Sequence, residues 1–319
     1  MSPDELASLS DSLFSISIAL YSLAMVAFSA QLAFGRRAAR TRELVGAGGP
    51  AGELPTEAPA AAEGGRGRRW GTVAMVLAAL GAVAHGGVLV ARGLAADRLP
   101  WGNMYEFSTA TVFVAVVAYL VFALRAPGLR HIGLFVLAPV VLSMVLIGLF
   151  LYAEAGPLVA ALRSYWLAIH VSTAIIGFGV FFVSGIASVL YLAATRHEER
   201  VAAGERPGSL LSRLPGAAAL DRVAHRTAVF GFPIWTFTVI AGAIWAEAAW
   251  GRFWGWDPKE TWAFIAWVVY AAYLHARTTA GWRGTPAAWV NVVGLGVMIF
   301  NLTFVNMVST GLHSYAGVN

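Results

Sequence analysis

The residue types able to do chemistry in this sequence gather in residues 245–262, WAEAAWGRFWGWDPKETW, and at a few histidines. Trp245, Trp250, Trp254, Trp256 and Trp262 are five of the chain's twelve tryptophans. Gly251 and Gly255 interrupt the run, so it is not expected to form one straight helix. Tryptophan favours both membrane interfaces, and an aromatic belt is its plain reading. A belt spreads its aromatics over many helix ends, whereas this run gathers them in one segment with glycines between them. That is what a flat platform for a large planar ligand requires. The run ends on a helix-start signal, with Asp257 as N-cap, Pro258 at the first helical position and Glu260 three residues after the cap. A capping box accounts for both carboxylates, so neither is given a catalytic role.

Seven histidines accompany it. His170, in SYWLAIHVS, falls about one and a half turns into an apolar stretch. His313, in GLHSYAG, stands just past another, at the same end as the Trp-rich loop. Two imidazoles on opposite sides of an aromatic platform suit a six-coordinate haem, with one nitrogen ligand for each axial face. Neutral histidine also binds zinc, but no acidic or third-histidine companion stands at metal spacing. His85 and His275 lie well inside apolar stretches, where an ionisable group is costly and a functional candidate. Their depths differ, His85 falling toward one half of its span and His275 toward the other. His131 and His197 lie beside arginines and read as ordinary loop-side residues; His225 reads as a buried structural group. Arg252 and Lys259, the basic residues of the Trp-rich run, are candidates to pair with haem propionates; snorkelling or helix-end charge is their plain reading.

The elements that position these residues follow from composition. Hydrophobic residues make up 58% of the 319 and charged ones 12%, against roughly a quarter charged in an average soluble domain. Apolar windows long enough to cross a bilayer recur near 12–34, 70–92, 105–125, 131–152, 165–194, 226–248, 259–277 and 287–309. The expectation is an all-α, polytopic transmembrane helical bundle of about eight spans. Acidic Asp4, Glu5 and Asp11 precede the first span and Arg36, Arg37, Arg40 and Arg42 follow it, so it is not a cleavable signal. Arginine asymmetry puts the N-terminus outside and, with an even span count, both termini extracytoplasmic. Most arginines fall on one side; Arg92, Arg98, Arg163, Arg252 and Lys259 fall on the other. The net charge of +5 thus reports topology, and nucleic acid is not an expected partner. The chain has no cysteine, which excludes thiolate ligands and thiol exchange on its own residues.

Three regions are expected: residues 1–42, the first span with its basic cytoplasmic end; 43–69, a flexible cytoplasmic linker rich in Gly, Ala, Pro and Glu; and 70–319, the membrane domain that carries the loop at 245–262. The polar, then apolar, stretch 197–222 has room for a short interfacial helix.

The run WGRFWGWDPKETWAFIAWVVYAAYLHAR resembles the WWD signature of the haem-handling proteins of cytochrome c biogenesis. Its WGWDPKETWA form is most like the CcsA/ResC (CcsB-type) proteins of system II. HGGVLVARGLAADRLPWGNMYEF, SYWLAIHVS, HRTAVFGFPIWTFTVIAGAIWA and the terminal GLHSYAG extend the resemblance over most of the chain beyond the first span.

The resemblance implies that His170 and His313 ligate haem beside the Trp-rich loop, at the outer face. His85 and His275 would receive it within the membrane. Trp250, Trp254, Trp256, Asp257 and Trp262, with Arg252, complete the implied haem-binding set. It further implies haem b as substrate, a separate ResB-like membrane subunit as partner, and an apocytochrome c whose CxxCH segment takes haem through thioether bonds. Cytochrome c synthase activity would then belong to this chain together with its partner. The location would be the cytoplasmic membrane of a bacterium, or a thylakoid-type membrane. Two rivals stand beside this reading. One is a haem transporter or chaperone without a catalytic share; the other is a secondary transporter of a different substrate, with Pro139 and Pro233 breaking helices.

Overall fold

The computed structural model describes residues 1–46, 65–125, 127–156, 164–205 and 214–313. The regular elements in them are helices: α1 (Pro3–Gly46), α2 (Gly65–Ala95), α3 (Met104–Arg125), a 3-10 turn (Pro127–Ile132), α4 (Gly133–Phe150), α5 (Tyr165–Ala202), α6 (Ala217–Trp250), α7 (Pro258–Thr278), α8 (Thr285–Leu302) and the short α9 (Phe304–Met307). The chain is all-α, as expected. Among the described residues, seven helices are long and apolar enough to cross a membrane. The eighth expected span, α7, is helical over 21 residues, which is roughly 30 Å. Trp262, Trp267, Tyr270, Tyr273 and His275 dilute its apolar character, so it falls short of that measure.

Residues 47–64, the body of the expected linker, lie outside the described residues, but its edges are helical, since α1 runs to Gly46 and α2 starts at Gly65. No separate interfacial helix shows in the described part of 197–222. Its start prolongs α5, its end opens α6, and 206–213 lie outside the described residues. Pro139 and Pro233 sit inside unbroken helices, so the broken helices of the transporter reading are not found there.

Small residues set the closest helix contacts, as is usual where lipid removes the hydrophobic drive between helices. On α2, Ala74, Ala78 and Ala82 are buried against α1. A Cβ at Gly81 would lie 2.6 Å from the Tyr21 ring, so only glycine admits that ring. One core joins α1, α2, α3 and α4 with the later part of α5 and the start of α6. A second, of Phe178, Phe181, Trp235, Ala266, Tyr270 and Met298, joins α5, α6, α7 and α8. Leu23, Val26, Val83, Val90, Leu124 and Leu149 point outward, as lipid-facing residues do. Successive helices run up and down, so α3, α5 and α7 begin, and α2, α6 and α8 end, at the end that carries the Trp-rich loop. The contacts of His170 with Trp245, of Asp257 with His313 and of Arg92 with Glu106 tie them there.

Candidate functional site

At that end a cavity, open on one side, is walled by α3, α5, α6, α7, α8 and the Trp-rich loop. Trp101, Trp235, Trp245 and Trp254 stand in its wall with His170 and His313.

The helix that carries His170 starts where Ser164 caps it, its side chain accepting from the Trp166 amide at 3.2 Å. The His170 ring lies over Gly242 of α6, where a Cβ would come within 2.7 Å of Cε1. Its Nδ1 reaches the Thr238 carbonyl at 2.9 Å. A carbonyl oxygen only accepts, so Nδ1 carries the proton and the lone pair of the neutral ring sits on Nε2. Trp245, one turn beyond Gly242, stacks on the imidazole with centroids 5.7 Å apart.

His313 is held by a carboxylate. Asp257 Oδ1 accepts from His313 Nδ1 at 2.8 Å, while Oδ2 accepts from the Leu312 amide at 2.7 Å. The same Oδ1 accepts from the Lys259 amide at 3.0 Å, which makes Asp257 the N-cap of α7. Burial raises the Asp257 carboxyl, but the bonds from His313, Lys259 and Leu312 outweigh it and hold the group below its ordinary range. A carboxylate on Nδ1 again puts the neutral lone pair on Nε2, the arrangement that orients metal-binding histidines. His313 meets Trp245 and Trp250 edge-on, at 5.9 and 5.0 Å. Both candidate ligands thus pack on one buried indole, Trp245.

The loop between α6 and α7 is shaped by two left-handed residues. Gly251, at φ 70°, ends α6, as a helix-terminating glycine does. Trp256, at φ 56°, is a rare non-glycine in that region. It stands 66% exposed and packs edge-on against Trp254 at 5.7 Å. Glu260 closes the capping box, its Oε2 accepting from the amides of Gly255 and Asp257. It also pairs with Arg252 at 3.3 Å. Lys259 instead lies on the cavity wall, its Nζ donating to the Asn301 carbonyl at 3.1 Å.

Not every expected residue lines the cavity. Trp262 packs on Phe300 at 4.4 Å, in the contact between α7 and α8. Trp250 supports His313 from behind the wall, and Arg252 is engaged with Glu260. His85 and His275 are not brought together. His85 is fully buried between α1 and α3, touching Tyr21 and Phe113. His275 is exposed on α7, a helix that packs on α6 and α8. The difference of depth read from sequence is joined by a lateral separation that sequence alone does not show.

One wall was missed. Trp101, Gly102 and Asn103 line the cavity from the α2–α3 connection. Glu106, 1% exposed, anchors them, accepting from the Gly102 amide at 2.7 Å, from Arg98 at 2.6 Å and from Arg92 at 3.2 Å. Arg92 and Arg98 also donate to the carbonyls of Ala153 and Gly156, which ties in the loop after α4.

The family model for cytochrome C assembly protein matches residues 101–313. The chain belongs to the cytochrome c assembly family. The match begins at Trp101 and ends at His313, so it takes in the whole cavity wall and leaves out α1, α2 and His85. The cytochrome c biogenesis protein CcsA of Synechococcus elongatus is 36% identical over 288 residues, covering 77% of this chain and 86% of the relative. The CcsA proteins of Gloeobacter violaceus and Guillardia theta are each 34% identical, over 72% and 73% of this chain and 82% and 81% of their own lengths. This member of the assembly family is accordingly a multi-pass membrane protein of cytochrome c maturation.

Proposed function

We propose that the chain holds haem b in the Trp-walled cavity between His170 and His313, on the outer side of the membrane, for transfer to the CxxCH segment of an apocytochrome c. One observation carries the reading. Two imidazoles share Trp245 as a neighbour in one cavity, and each is fixed through Nδ1 so that Nε2 is its iron-binding nitrogen. The wall suits the rest of the molecule, with indoles for the macrocycle faces and edges. Haem brings the vinyl groups to which the substrate's two thiols add. This chain binds, orients and shields the macrocycle, and the apocytochrome histidine takes the place of one protein ligand. A separate ResB-like membrane subunit is the proposed partner. The intake role expected of His85 and His275 as one site is not part of the proposal, because α2 and α7 keep them apart.

The test is a visible spectrum of the purified chain together with its His170→Ala and His313→Ala variants. The expected result is a bis-histidine spectrum in the parent, haem loss and failed cytochrome c maturation in each variant, and partial recovery with added imidazole. Unchanged haem content in the double variant overturns the assignment. Product formed by this chain and its partner alone separates a synthase from a carrier without a catalytic share.

A further inference from the structure

The two cations of the Trp-rich run differ in one respect that bears on the ligand. Arg252 is neutralised by Glu260. Lys259 has no carboxylate within ion-pair distance among the described residues. The nearby Asp257 carboxylate is committed to His313, Leu312 and the Lys259 amide. Lys259 sits in the first turn of α7 with its ammonium on the cavity wall, and its one acceptor is the neutral Asn301 carbonyl.

The wall around it is polar where the rest is apolar. α8 ends at Leu302 and α9 starts at Phe304, so backbone carbonyls come free at the break. Asn306 Nδ2 donates to the carbonyls of Asn301 and Leu302. Asn301, 4% exposed, keeps Oδ1 without a hydrogen-bond partner. Lys259, Asn301 and Asn306 all line the cavity. A helix-end cation accounts for one ammonium proton. It leaves two ammonium donors without an acceptor among the described residues, while Glu260 on the same wall is taken by Arg252 and by backbone amides.

We infer that the Lys259 ammonium, beside Asn301 on the cavity wall, is the carboxylate anchor that takes the propionate edge of the macrocycle. The inference rests on the cavity being a haem site and adds what fixes the rotation of haem within it. Haem is asymmetric about its iron, and two axial imidazoles leave it able to rotate between them. An ammonium at one corner selects the propionate edge, and with it the placing of the vinyl edge that must meet the substrate thiols. Arg252, the other candidate, already has a carboxylate partner in Glu260.

The experiment compares titration of the purified full-length chain with haem and with haem dimethyl ester, whose propionates are blocked, followed by Soret absorbance. The parent is expected to bind haem roughly 10-fold to 100-fold more tightly than the ester, the range of a charge-assisted hydrogen bond. Lys259→Met is expected to abolish that preference and Lys259→Arg to keep much of it, both with band positions of the parent. Equal binding of both forms by the parent overturns the propionate subsite and leaves the haem site standing; this arm needs no variant to fold. A preference that survives in Lys259→Met overturns the assignment to Lys259. Binding that survives the double replacement of His170 and His313 overturns the haem-site reading itself.

Discussion

Asp257→Asn separates two roles that one carboxylate performs. Asparagine caps helices about as well as aspartate, so α7 should still start at Pro258. The acceptor set is what changes. Asp257 offers two oxygens and uses both, Oδ1 for His313 and the Lys259 amide, Oδ2 for the Leu312 amide. An amide has one. With its oxygen toward His313, its NH2 faces the Leu312 N–H across 2.7 Å, donor against donor. Flipped, it turns the NH2 on His313 instead. Either way a buried hydrogen bond is lost and a charge-assisted one weakened, about 1–3 kcal/mol for an unsatisfied buried group. Loss of the partner that orients a metal-binding histidine typically costs 10-fold to 100-fold in affinity. Haem binding by Asp257→Asn should fall by that order, read by Soret titration, while circular dichroism shows helix content and melting near the parent's. Affinity equal to the parent's, in a protein where His313→Ala binds poorly, would reduce Asp257 to a helix cap. The pH dependence follows the same logic. The Asp257 carboxyl is held below its ordinary value of 3.8. Its contribution is therefore complete above that value and disappears only as pH falls through the lower folded value. Haem loss between pH 8 and 5 that Asp257→Asn abolishes would contradict this.

Three further outcomes are expected. Glu106→Ala should leave Arg92 and Arg98 without their buried counter-charge, a loss on the order of 3–5 kcal/mol, seen as poor yield and a lower melting temperature; a melting temperature like the parent's would show the cluster to be dispensable. His85→Ala should lower stability through the lost Tyr21 contact and leave haem per folded chain unchanged, measured by pyridine haemochrome; a selective fall in haem would restore an intake role to it. A cysteine at Phe253, in a chain that has none, should react with an impermeant thiol reagent on intact cells while one at Pro55 stays unlabelled; the reverse pattern would invert the proposed orientation.

The sequence made the helical bundle legible because apolar windows and arginine asymmetry are strong local signals, and the start of α7 because a capping box is encoded within four residues. The site was legible where chemistry and spacing were local, as at Asp257, Trp254 and His170. Its other half came from far along the chain. Trp101 carries no mark of its own, and nothing local shows that it lines the same cavity as α7. A signal did exist in the arginine count. Arg92, Arg98 and Arg252 were exceptions to the arginine asymmetry, and all three have carboxylate partners, the first two sharing Glu106 and the third with Glu260. Arg252 was therefore readable as paired, with Glu260 eight residues on. His85 and His275 illustrate the opposite limit, since depth along a helix says nothing about which neighbour it faces.

The cavity is assembled at the place where helices stop, and there the backbone loses its internal partners. Irregular backbone at the edge of a bilayer persists only where other groups satisfy it. Two buried carboxylates do this next to the cavity. Glu106 gathers the Gly102 amide and two guanidiniums and so fixes the Trp101 wall. Asp257 gathers the amides of Lys259 and Leu312 and the His313 ring, and so fixes a candidate ligand. Asp257 joins the start of α7 to a segment 55 residues on, whereas Glu106 binds partners within 14 residues of itself, and the geometry of such charge-assisted bonds is stricter than that of apolar contact. The remaining wall, between α5 and α6, is fixed differently, with the His170 ring lying over Gly242 and bonded to a backbone carbonyl. An iron held between two imidazoles demands that both be placed to a fraction of an ångström. A site built on helix ends reaches that only if each imidazole has its own fixed acceptor, which is what Thr238 and Asp257 provide.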